Sequence, residues 1–332
     1  MGGAFAQYEK YLQKEYKRLP EGLYVSLVLV RKTESETIFR TEGSGEDLVK
    51  ETVSGGLLHT RPVTRVMMSK RKQVAVERRT GRELLRKHGL LLKGQKGGEC
   101  LLNTNTPCEQ CIDCHLYGFA VGGSGAHRSR VISDDAYSIG SVAQITDKRT
   151  FNAIYENGTM RHPESGEPSR SIQKDEYIRP QTHFLDIETL KDVTLTELLY
   201  VLGNIKRSTR YGAISSRLGR VNNTIVAIAF SDCELFSTLE LTQAVYDRLF
   251  TQHKLSEQDE DELPFPLTDE EVTAATLAAL DQLQAHLFSR QPVWLTGEGL
   301  QAELQQVQAT YANEERIVEA LRAQTAGYRP QR

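Results

Sequence analysis

Four cysteines fall within 15 residues, at Cys100, Cys108, Cys111 and Cys114, in a segment of the chain that is otherwise glycine-rich and polar. A segment like 94–125 (GQKGGE, then the cysteines, then GFAVGGSG) has too few apolar residues to build a core and is too long for a plain connection. A cross-link is what would let it fold. No apolar leader marks the N-terminus as secreted, so the cysteines are expected in a reducing compartment, where a metal site is favoured over disulfides. The fifth cysteine, Cys233, follows an apolar run and is expected to be a core thiol.

The spacing Cys100-x7-Cys108-x2-Cys111-x2-Cys114 suits one ion, because a tight turn points two thiolates inward together. Four thiolates with no open position describe a closed structural site, and zinc is the favoured occupant. Two other readings stand beside it. An iron–sulfur cluster would use the same opening spacing, although Gly118 stands where the next cysteine of that pattern would fall. Free thiols with no metal are the plainest possibility, and His115 is a candidate to replace one cysteine.

Elsewhere the 332 residues look like an ordinary globular chain, with 39% hydrophobic and 26% charged residues. No apolar run approaches the ~20 residues of a membrane span, and a cytoplasmic protein without a membrane partner is expected. Leu23–Val30, Val131–Val142, Thr182–Leu190 and Asn223–Phe230 have strand character. Residues 5–19 have helical spacing, and 269–288 and 300–322 are Ala/Leu/Gln/Glu-rich helices. Thr194-Leu-Thr-Glu197 is a capping box before a helix that carries Leu195, Leu198, Leu199, Leu202 and Ile205. Residues 151–180 are rich in turn pairs such as Asn157-Gly158 and predict a long projecting hairpin. This order of elements predicts an α+β fold: a ferredoxin-like antiparallel sheet with helices on one face, a metal-binding insertion at 94–125 and a hairpin insertion at 151–180. The expected division is a core over 1–250 and an acidic linker with a helical region over 251–332.

The net charge of −3 conceals an asymmetry. Residues 61–96 hold 12 Lys/Arg against Glu77 and Glu83, and residues 205–220 hold Lys206, Arg207, Arg210, Arg217 and Arg220 without an acid. Residues 1–220 sum to +8 and residues 221–332 to −11. A single basic run is usually a solvated face; two runs, the second interleaved with Gly203, Gly212 and Gly219, suggest a polyanion whose phosphates approach the backbone. His127-Arg-Ser-Arg130 is a third small basic group. There is no GxxxxGK[ST] phosphate loop and no GxSxG nucleophile elbow, and the scattered acids, Asp134, Asp135 and Asp186 among them, read as surface groups or turn caps.

The basic SKRK segment at 69–72, the cysteine insertion, HRSRVISDDAYSI at 127–139 and LLYVLGNIKRSTRYGAISSRLGRV at 198–221 occur in one order. Together they resemble the repeated backbone subunit, of the Cas-seven kind, of the type I-D CRISPR RNA-guided surveillance complex, Cascade. The resemblance covers roughly residues 1–250. It implies an RNA-recognition-like core with palm, fingers and thumb, polymerised in several copies as a helical filament along one guide RNA. It implies guide RNA as ligand, paired target DNA or RNA, and the handle-capping, large and small Cascade subunits as neighbours. The family's RNA-binding positions correspond to Lys70, Arg71, Lys72, Arg128, Arg130, Lys206, Arg207, Arg210 and Arg217, and the 151–180 hairpin is the candidate thumb. The expected role is a non-catalytic scaffold with structural zinc. The alternatives are a metal-dependent nuclease cutting bound target at intervals, and a generic zinc-containing interaction module.

Overall fold

The computed structural model describes residues 3–40, 48–94, 97–104, 106–122, 125–152, 154–168, 172–258, 260–288 and 290–328. Its strands are β1 (Tyr24–Thr33), β2 (Lys50–Ser54), β3 (Pro62–Met68), β4 (Phe119–Val121), β5 (Gly125–His127), β6 (Val131–Ser133), β7 (Ala136–Ser138), β8 (Thr146–Asn152), β9 (Ile172–Ile178), β10 (His183–Lys191), β11 (Val221–Ser231) and β12 (Val293–Thr296). Its α-helices are α1 (Lys70–Lys87), α2 (Ile112–Tyr117), α3 (Val142–Ile145), α4 (Leu195–Arg207), α5 (Thr238–Gln252), α6 (Asp269–Leu283), α7 (Gly297–Ala312) and α8 (Glu314–Gly327).

The centre is one mixed-length antiparallel sheet in the order β12-β11-β1-β10-β7-β3-β2, with β6 also pairing β10. The long pairs are β1 with β10 (Tyr24 opposite Lys191) and β1 with β11 (Tyr24 opposite Ser231). Val25 to Val30 are all buried because both faces of β1 are covered, which is why this strand reads as a continuous apolar run. Val25, Leu27 and Leu29 pack beneath α1, α4, α7 and α8, while Val28 and Val30 pack beneath α5 and α6. Helices therefore lie on both faces of the sheet, where the sequence predicted one.

The capping box forms as expected: Thr194 accepts the Glu197 N–H and the Glu197 side chain accepts the Thr194 N–H. From this start α4 buries Leu198, Leu202 and Ile205, roughly 1.5–3 kcal/mol of transfer free energy each. The 5–19 stretch shortens to a 3-10 turn at Ala6–Tyr11. The expected 300–322 helix is two helices, because Asn313 leaves helical geometry and caps α8 by accepting the Arg316 N–H at 3.2 Å. Residues beyond 251 join the same body: α6 lies on α5, β12 extends the sheet beside β11, and α7 and α8 lie on α4.

Tyr311 reaches the Leu199 carbonyl at 3.1 Å over Gly203, where a Cβ would fall 1.9 Å from the phenol oxygen. Gly203 thus admits a C-terminal helix to α4 and does not face solvent. Gly212 and Gly219 have φ of +86° and +80°, and a Cβ at either would collide with the Ile38 or Tyr211 carbonyl. All three glycines serve close packing within the chain; Gly203 is buried under Tyr311, whereas Gly212 also borders a cleft.

β8 and β9 form a separate two-stranded hairpin from Thr146 opposite Ile178 to Asn152 opposite Ile172. Arg40 and Lys50 brace its base through Asp175 and Glu176, the second pair at 2.6 Å. Residues 153 and 169–171 of the expected excursion lie outside the described residues. No helix among the described residues is long and apolar enough to cross a membrane.

Candidate metal centre and basic cleft

The sulfurs of Cys100, Cys108, Cys111 and Cys114 lie within 4.8 Å of one another, and all four residues are buried. Cys100 precedes a loop that returns at Cys108, Cys111 caps α2, and Cys114 lies one turn inside it. Cys100 Sγ is 3.7 Å and Cys108 Sγ 3.9 Å from Cys114 Sγ. A tetrahedral ion with metal–sulfur bonds of ~2.3 Å requires sulfur separations of about 3.8 Å, so these residues fit such an ion. The backbone adds N–H···S contacts, Cys108 N to Cys100 Sγ and Cys111 N to Cys108 Sγ, each 3.3 Å, which favour thiolate.

His115 is not part of this set. Its ring stacks on Tyr328 at 4.1 Å, and burial, with the charges of His127 and Arg130, lowers its pKa to about 4. Cys233 is half-buried and apart from the cluster.

The cysteine module is fastened to α1 by two arginines. Arg78 holds the buried Asp113 through Nε at 2.9 Å and donates to the Gly118 carbonyl at 2.9 Å. Arg82 binds the same carboxylate at 2.5 Å, the Cys100 carbonyl, and Cys100 Sγ at 3.7 Å. Both guanidinium pKa values are raised despite burial, because Asp113 sits against them.

The basic residues of 61–96 therefore divide. Arg65 is buried against the Ser138, Ile139 and Gly55 carbonyls, and Arg78 and Arg82 are used as above. Arg86 pairs with Glu99 and Lys87 with Glu314. Lys96 lies outside the described residues. Arg71, Lys72 and Arg79 line a cleft of about 800 Å³ with Arg40, and its other walls include Asn103 of the cysteine module and Gly212 and Ala213 of the loop after α4. Arg79 has no side-chain partner among the described residues.

Two of the nine predicted binding residues, Lys70 and Arg130, are held by carboxylates within the chain. Lys70 is 7% exposed with Nζ 2.7 Å from Asp186. Arg130 is held by Glu197, with Nη1 to Oε2 at 3.0 Å, and by the Asp192 carbonyl. Lys206 is exposed in the last turn of α4 and sets its ammonium on the Asn223 carbonyl at 2.7 Å. Arg71 and Lys72 line the cleft. Arg210 and Arg217 are exposed on the loop after α4, with Arg210 donating to the Leu218 carbonyl at 3.1 Å. Arg207 stands elsewhere, over the Tyr311 ring, and Arg128 is exposed outside the cleft lining. Arg40 was missed because it stands alone in the sequence and reaches the cleft only through folding.

Beneath the cleft a buried ionic cluster ties α1 to the sheet and to that loop. Arg31, wholly buried, pairs with Glu77 at 2.9 Å and Asp186 at 2.7 Å, and Asn223 accepts from it at 2.7 Å. Tyr211 donates to Glu77 at 3.1 Å. Two cations, Arg31 and Lys70, face three carboxyl groups, Glu77, Asp186 and Glu188. Desolvation and the adjoining Glu77 raise the Glu188 pKa to about 8, while Lys70 and Arg31 lower that of Asp186 to about 2 against its own desolvation.

This architecture, a layered antiparallel sheet with helices, recurs among CRISPR proteins of solved structure. Thermofilum pendens Csc2 superimposes with a TM-score of 0.53 at 16% identity, covering 96% of each chain. A chain of a CRISPR RNA-guided surveillance complex gives 0.50 at 10% identity over 87% of this chain and 99% of that one. A chain of such a complex in a pre-nicking state gives 0.50 at 9% over 83% and 92%. At these identities the likeness shows the fold. No curated protein sequence matches the chain. The model of the Csc2 CRISPR family matches residues 11–321, and the chain belongs to that family.

Proposed function

We propose that this protein is the RNA-holding backbone subunit of a type I-D CRISPR surveillance complex, without catalytic activity of its own. The family match over residues 11–321 carries the proposal, and the cleft lined by Arg40, Arg71, Lys72 and Arg79 supports it. A subunit that serves any guide must hold phosphates and leave the bases to pairing, which calls for arginine, lysine and backbone in place of a base-reading pocket. Arg210 and Arg217 on the adjoining loop would extend the same contact. Lys70 and Arg130 would act from inside the fold, and Lys206, exposed at the end of α4, would stand beside that loop.

In this reading β11-β1-β10-β6, with α1 leading toward β6 and α4 joining β10 to β11, is a ferredoxin-like, RNA-recognition-like core. The β8–β9 hairpin is its thumb. Copies joined head to tail would follow the guide as a filament in the cytoplasm, beside the other Cascade subunits. The four cysteines would hold one structural zinc, which fastens the insertion to α1 through Asp113 and supplies folding free energy to a segment poor in apolar residues. Purification of the native complex with its RNA, followed by sequencing, tests the proposal. Repeat-derived guides are expected, and a preparation free of nucleic acid would contradict it.

A further inference from the structure

The carboxyl groups beneath the cleft outnumber their cations. Glu77, Asp186 and Glu188 are each 0% exposed, and among the described residues Arg31 and Lys70 are the cations set against them. Three ionised carboxylates would therefore leave one buried negative charge uncompensated. Two of the three are well held. Asp186 accepts from Arg31 and Lys70, and Glu77 accepts from Arg31 and Tyr211. Glu188 is held differently. Neither of its oxygens has a hydrogen-bond donor among the described residues, and Arg31 Nη2 stands off at 3.6 Å. Glu77 Oε2 is likewise without a donor. A carboxyl group in this position keeps its proton, because burial and a neighbouring carboxylate both disfavour the ionised form.

The same cluster seats two parts of the cleft. α1 turns Lys70 and Glu77 inward and Arg71, Lys72 and Arg79 toward the cleft. Tyr211, held on Glu77, directly precedes Gly212 and Ala213 of the cleft lining. The groups facing Glu188 and Glu77 are Arg31 from β1, Lys70 from α1, Asp186 from β10, the Tyr117 phenol from α2 and the Tyr211 phenol from the loop after α4. The cleft lining itself contains no carboxylate and no imidazole. We propose that Glu188 and Glu77 share one buried proton and that this proton is a switch on the cleft. Its loss in alkaline solution leaves α1 and the loop after α4 less firmly seated and weakens the hold on RNA, a last step that rests on the RNA-holding reading above.

The test titrates the full chain with a single-stranded RNA at fixed ionic strength from pH 6 to pH 9, with infrared difference spectra of the free protein over the same range. Wild type is expected to show the band of a protonated carboxyl group at pH 6 and to lose it with a midpoint of about 8. It is expected to bind RNA about tenfold more weakly at pH 9 than at pH 7, the loss set by one proton. Glu188→Gln, neutral and of the same shape, is expected to lack the band and to bind equally at both pH values. Wild type without the band at pH 6, or a band kept by Glu188→Gln, would overturn the shared proton. Affinity flat with pH in wild type, or falling equally in the variant, would overturn the switch while leaving the RNA-holding reading intact. Wild type that binds no RNA at any pH would overturn that reading. The proton is then decided by the band and by hydrogen exchange of the α1 amides. Relative to intrinsic rates, that exchange is expected to speed at pH 9 in wild type and not in Glu188→Gln. Equal exchange in the two proteins would overturn the seating of α1 by this proton.

Discussion

Lys70 Nζ lies 2.7 Å from Asp186 Oδ1 with both side chains buried, while Arg71, its neighbour in sequence, is exposed at the cleft. Successive helical residues point about 100° apart, so one basic run serves two purposes. Lys70→Ala should cost about 3 kcal/mol in urea unfolding, the scale for breaking a buried ion pair. Arg71→Ala should cost little, and a Lys70→Ala variant as stable as wild type would refute the division.

Glu188 makes stability fall with rising pH. Its folded pKa, about 8, lies above the ordinary carboxyl value, so its contribution is fully present below pH ~4.5 and is lost as pH rises toward 8. Asp186 works oppositely: its lowered pKa stabilises above pH ~4 and that contribution is lost as pH falls toward 2. Glu188→Gln should therefore gain on wild type between pH 5 and 8, with the gain shrinking to a constant below pH 4.5. Urea midpoints measured across that range check the sign, and a pH-independent difference would refute it.

Gly203 and Tyr311 should behave as a pair. Gly203→Val forces a side chain into the phenol and should cost about 1–3 kcal/mol by overpacking. Tyr311→Ala alone should also destabilise, by leaving a cavity beside α4. Combined, the two should cost less than their sum, since each accommodates the other. Strict additivity in a double-mutant cycle would contradict this packing of Tyr311 on Gly203.

Metal analysis should return one zinc per chain, and a strong chelator should lower the melting temperature. Cys111→Ser should lose the metal, whereas His115→Ala should keep it, because His115 stacks on Tyr328 outside the sulfur cluster. Iron in place of zinc, or metal lost on replacing His115, would reverse the assignment.

Much of this was legible in the chain. The capping box at Thr194–Glu197 and the apolar runs of β1 and β11 are local signals, and the structure keeps them. The four cysteines were readable as a cluster because ligand spacing is short-range. What the sequence hid depends on distant partners. Gly203 looks like a flexible residue until Tyr311 arrives from a helix far along the chain. Arg65, Arg78, Arg82 and Arg130 count toward a basic surface until Asp113, Glu197 and buried carbonyls claim them. The break at Asn313 is a capping choice inside an unbroken helical pattern, and β12 is four residues long, too short for period-2 alternation to stand out.

The cleft beside α1 is proposed to hold RNA phosphates. Binding of a single-stranded guide-length RNA across a salt series, comparing wild type with Arg71→Ala/Lys72→Ala/Arg79→Ala, measures it most directly. Each lost phosphate contact should flatten the log–log salt slope by about 0.7, so the triple variant should bind far more weakly with a slope reduced by about two. Its melting temperature should stay near wild type. Equal affinity and equal slope in the two proteins would show that RNA is not held at this cleft.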